Sequence, residues 1–153
     1  MRARTPAFLG VMAAALAVAI PPALAGSVAK TVPFELGVWT TLDAVDAPVT
    51  LHRIRVVEQT GTFTKSNIFR PGGSPYQKDV QIQLEYSNTS THGWDANIVA
   101  EWLDADGKVI DGYKGKEGLD SKEDHDVDTM TISTLKYGIE KAKTLRVSIE
   151  FGP

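Results

Sequence analysis

The densest run of reactive side chains is Asp124-His125-Asp126-Val127-Asp128. Alternation along a strand predicts that Asp124, Asp126 and Asp128 share one face and that His125 points away. Three carboxylates on one face suit a hard cation such as Ca²⁺. These three, together with His125, are therefore the candidate metal ligands. The plainer reading is a solvated strand start, with Lys114, Lys116 and Lys122 near enough to offset its charge. Asp104-Ala105-Asp106-Gly107 has a faint likeness to a calcium loop. An EF-hand places its glutamate six residues after the glycine, and Tyr113 stands there instead. A tight hairpin with Gly107 at positive φ accounts for all four residues.

The histidines are His52, His92 and His125, and none forms a helical i, i+4 pair. Zinc or copper binding would need them to converge in space. Nucleophilic catalysis has little to start from: there is no cysteine and no G-x-S-x-G elbow. Paired carboxylates are plentiful enough for a glycosidase, but short turns leave little chain for a substrate cleft. No catalytic residue and no cofactor site are assigned. Asn88-Thr89-Ser90 matches a glycosylation sequon and reads most simply as a turn. Trp94 follows Gly93 in that turn. An exposed indole there is the candidate partner contact; the plainer reading has it covering one end of the fold.

The elements that must hold these residues come from a shorter chain than the 153 residues suggest. Arg2 and Arg4 precede an apolar run from Phe8 to Ile20, and Ala23-Leu24-Ala25 completes a small-x-small cleavage pattern. Residues 1–25 are expected to be a secretory signal. Its removal leaves 128 residues, about 37% of them apolar, and shifts the net charge from −3 to −5. One domain is expected at that length. No long apolar run remains for a membrane span, and the acidic balance argues against nucleic acid as a partner. Gly26 occupies the place where a lipoprotein has cysteine, so a soluble periplasmic or secreted product is expected. The absence of cysteine leaves the core to stabilise the domain without disulfides.

Within the mature chain, residues 26–48 read as an extension or a first strand around Val32–Trp39. Residues 49–153 read as the folded domain. Val49–Val57 is β-branched, with Arg53 and Arg55 on one side and Ile54 and Val56 on the other. Residues 58–78 read as loop around Arg70-Pro71-Gly72-Gly73-Ser74-Pro75. Val80–Tyr86 alternates strictly. Asn97–Leu103 is apolar on both faces, which predicts a central strand. Lys108–Tyr113 should pair with it through the Asp104–Gly107 turn. Lys114–Asp124 reads as a polar loop plugged by Leu119. His125–Thr134 and Thr144–Phe151 are further strands, separated by a short helical turn or a wide loop. The sum is an all-β, antiparallel, immunoglobulin-like β-sandwich of about seven strands.

The stretch Val80 to Phe151 resembles two small bacterial envelope domains, the YcfL-like periplasmic domain and the FxLYD domain. The resemblance rests on Ile82-Gln83-Leu84-Glu85-Tyr86-Ser87-Asn88, on Ala100–Val109 with its Asp-Gly hairpin, and on Leu145-Arg146-Val147-Ser148-Ile149. It implies an immunoglobulin-like sandwich without catalytic residues, acting in binding or envelope assembly, and it carries over no functional residue. Charge supports a binding role. Residues 95–128 hold eleven acids and four lysines, whereas residues 52–78 hold five bases and one acid. Such a dipole steers a charged partner. The expected activity is therefore non-enzymatic contact with an envelope or secreted protein. A divalent-metal protein and a small secreted hydrolase are the alternatives.

Overall fold

The computed structural model describes residues 26–59 and 74–153. The expected signal, residues 1–25, and most of the expected 58–78 loop lie outside these residues. Among the described residues, eight strands and one short helix follow one another: β1 (Ser27–Pro33), β2 (Thr40–Asp46), β3 (Val49–Glu58), β4 (Gln77–Asn88), β5 (Trp94–Leu103), β6 (Val109–Leu119), β7 (Glu123–Leu135), α1 (Lys136–Lys141) and β8 (Thr144–Gly152). They form two four-stranded sheets, ordered β1-β8-β5-β6 and β2-β3-β4-β7, with every pairing antiparallel. No described helix is long and apolar enough to cross a membrane.

Alternation along each strand supplies the core. Val80, Ile82, Leu84 and Tyr86 point inward from β4, and Ala96, Ile98, Ala100 and Trp102 from β5. The inner faces close on one another with Ile54 and Val56 of β3 and Val147, Ile149 and Phe151 of β8. Ile139 of α1 joins this cluster. β5 lies between β6 and β8, the central place that its apolar faces predict.

Several boundaries differ from the sequence reading, each for a local reason. The N-terminal stretch yields two strands, β1 and β2, in different sheets, and Gly37 at φ 84° lies between them. Ala47-Pro48, a cis peptide bond, joins β2 to β3 at the end of that stretch. The expected loop from Lys114 is strand as far as Leu119, because each residue from Lys114 to Leu119 pairs with β5. Tyr113 lies over Gly115 on the inner face, where an added Cβ would fall 1.8 Å from the tyrosine hydroxyl. The aromatic ring thus fills the place that a glycine leaves empty. The Asp104–Gly107 hairpin forms as expected, with Gly107 at φ 77°. The Asp104 carboxylate accepts the backbone N–H groups of Asp106 and Lys108, both at 2.9 Å, so it is engaged in holding the turn.

Candidate functional site

Two irregularities flank one stretch of β4. On one side the β3–β4 register shifts between Leu51 and Arg53, leaving His52 as an extra residue. On the other side the β4–β7 register shifts between Tyr86 and Asn88, opposite Asp124 and His125. His125 takes up the surplus with φ 56°. Bulges re-aim side chains. Here they bring His52 and His125 together across β4, with ring centroids 4.0 Å apart and planes 17° from parallel.

Beneath the rings lie two buried polar side chains of β4, Glu85 and Ser87. Glu85 accepts from His125 Nδ1 at 2.7 Å and from Arg53 Nε. The hydrogen bond from His125 holds the Glu85 carboxyl below its ordinary value; burial opposes this, and Arg53 adds to the lowering. Ser87 Oγ contacts His52 Nε2 at 2.8 Å, Asp124 Oδ1 at 3.0 Å and the His125 N–H at 3.0 Å. A hydroxyl offers one donor and two acceptor sites. The backbone N–H can only donate to it, and a carboxylate can only accept from it. His52 must therefore donate through Nε2, which makes it a positioned donor toward Ser87 and not a base.

Farther along the same outer face, Trp39 covers two arginines. The guanidinium carbons of Arg53 and Arg55 lie 4.6 Å and 4.4 Å from its ring centroid. Arg55 Nε donates to Gln83 Oε1 at 2.6 Å, and the Gln83 amide leans on Gln81 at 3.4 Å. The surface is thus a polar sheet face carrying one aromatic, two arginines and two histidines, each held by a neighbour.

The expected metal ligands do not meet. Asp124 bonds to Ser87, and Asp126 approaches the Tyr86 hydroxyl at 3.4 Å. Asp128 acts on Glu117 of β6. Strict alternation fails at the bulge, and His125 lies beside Asp124 instead of facing away from it. Among the described residues no group of three acidic, histidine or cysteine side chains is placed to hold an ion. Trp94 begins β5 half-buried, with its ring packed against the core. Among the described residues, one cleft of about 310 Å³ is lined by Pro75, Tyr76, Leu135, Lys136, Tyr137 and Glu140, and another of about 280 Å³ lies over Val99, Glu101, Val109 and Tyr113.

Two expectations arise here. Glu85→Gln should cost about 1–3 kcal/mol at neutral pH, because an amide cannot accept from both Arg53 and His125 as a carboxylate does. A lowered folded-state value means that the Glu85 contribution is present above the unfolded value of 4.5 and lost as pH falls through the folded one. Urea unfolding across pH 3–7 should therefore show a shallower acid loss in the variant; parallel curves would refute it. At the open edge between β6 and β7, burial first, and then the nearby Asp128 charge, raise the Glu117 carboxyl. Protonated Glu117 is compatible with folding below its unfolded value, and that compatibility is lost as pH rises through the raised one. Glu117→Gln should stabilise by about 0.5–1 kcal/mol at pH 8 and by nothing measurable at pH 4. A thermal melt at both pH values checks this.

The chain matches no protein-family model and no curated protein.

Proposed function

We propose that this protein is an exported, non-enzymatic binding module of the immunoglobulin-like type, and that it holds a protein partner in the envelope or outside the cell. The observation that carries the reading is Trp39 stacked on Arg53 and Arg55 on an outer sheet face. Tryptophan and arginine dominate interface hot spots, because they combine large contact area with fixed donors. Ordinary surface arginines wave in solvent. Here the Nε atoms of both are tied down, to Glu85 and Gln83, before any partner arrives. A basic spot on a chain of net charge −3 also gives the surface a defined electrical contrast.

The saturated hydrogen bonding at Ser87 favours this reading over a hydrolase, since its hydroxyl has no free capacity. Divergence of Asp124, Asp126 and Asp128 favours it over a divalent-metal protein. The test is capture from envelope extract by the mature chain and by Trp39→Ala at equal concentration. A specific protein should be retained at low salt and weakened about 30-fold or more by the substitution, as expected for loss of a hot spot. Equal retention by both proteins, or nothing retained by either, defeats the proposal.

A further inference from the structure

The arginines on this face are built to receive one carboxylate. Each guanidinium has five N–H donors in a planar fork. Arg53 commits its Nε to Glu85 and Arg55 commits its Nε to Gln83. In both cases the inner nitrogen holds the group, and the guanidinium carbon lies over the Trp39 ring. For Arg55, no carboxylate lies within ion-pair distance among the described residues. Its terminal nitrogens make no hydrogen bond there either. Arg55 is half-buried and Arg53 exposed, so the forks are reachable from solvent.

Charge selects the occupant. Arg53 and Arg55 against Glu85 leave one uncompensated positive charge. One monoanion neutralises it. A dianionic phosphate would exceed it. Guanidinium and carboxylate match as planar forks, and Arg53 already donates to a carboxylate on this surface, through Nε alone. Resting on the partner-binding reading above, we infer that Arg55, stacked on Trp39, is the receptor for a glutamate or aspartate side chain of an acidic protein segment.

The test is a titration of the ¹⁵N-labelled mature protein with a blocked Gly-Ser-Glu-Ser-Gly peptide, followed by NMR. Saturable shifts are expected at the Trp39 indole N–H and the Arg55 Nε–H. The same peptide with Gln in place of Glu should bind at least tenfold more weakly. Arg55→Gln should lose the response, and Arg55→Lys should lose most of it, because an ammonium is a point charge and not a fork. Full retention by Arg55→Lys would show simple charge attraction and overturn the inference. So would tighter binding of inorganic phosphate or of a uronate oligosaccharide than of the peptide, and so would shifts confined to another face. Two-dimensional spectra report whether each variant is folded. If the peptide fails while capture still depends on Trp39, the carboxylate receptor falls and the binding surface stands.

Discussion

Replacing Asn88 by alanine should cost about 3 kcal/mol, and replacing it by aspartate at least as much. Asn88 is fully buried at the end of β4. Its amide nitrogen donates to Leu119 O at 3.0 Å and to His92 O at 3.2 Å. Its amide oxygen accepts from Ser90 N at 3.1 Å and Ser90 Oγ at 2.7 Å. All four capacities are used, and they tie the chain leaving one sheet to the last residue of β6 in the other. Alanine removes every bond and takes the side-chain donor from the Leu119 carbonyl, whereas the Ser90 hydroxyl, released from Asn88, can turn its one proton to the His92 carbonyl. Aspartate keeps the shape, but it removes both donors and turns an anion toward two carbonyl oxygens. Urea unfolding of the mature chain measures both. An aspartate variant within 1 kcal/mol of the parent would show that shape, and not donation, holds the turn. The same bonds occupy the sequon: the Asn88 amide is spent inside the fold.

Much of the architecture is legible because two-residue periodicity needs only apolar inner positions. Val80–Tyr86, Asn97–Leu103 and Thr144–Phe151 have them and become β4, β5 and β8. Lys114–Gly118 has none. Its inner positions are Gly115 and Glu117, so nothing local declares a strand, and the ladder to β5 decides the matter. The candidate site was hidden for a different reason. Alternation correctly places Arg53 and Arg55 together, but the counting rule assumes one residue per partner. The extra residues at His52 and at Asp124–His125 break that rule on both sides of β4. Asp124 therefore joins His125 on the outer face while Asp126 and Asp128 stay on the other, and the three aspartates part company. Trp39 carries no local signal for its stacking on Arg53 and Arg55, since it precedes β2 and meets them through the fold.

Trp102→Ala should cost about 3–5 kcal/mol, the usual range for a buried aromatic truncated to a methyl group. Trp102→Phe should cost far less, about 1 kcal/mol. Trp102 is fully buried on β5, between Asp111 of β6 and Leu145 of β8. Its indole N–H is buried without a hydrogen-bond partner among the described residues. Tryptophan here combines a large apolar gain with an unmet donor, and a buried unmet donor costs about 1–3 kcal/mol. Phenylalanine gives up part of the ring volume but also removes that donor, so the two effects offset. Equal losses for alanine and phenylalanine in urea unfolding would show that the N–H is satisfied after all. The pair of variants also separates stability from binding. Trp102 belongs to the sheet opposite Trp39, Arg53 and Arg55. Trp102→Phe should therefore leave capture by the outer face unchanged wherever the protein is folded, whereas Trp39→Ala should weaken capture about 30-fold or more with little change in stability. If both substitutions weakened capture in proportion to lost stability, the outer face would be only as important as the fold that carries it.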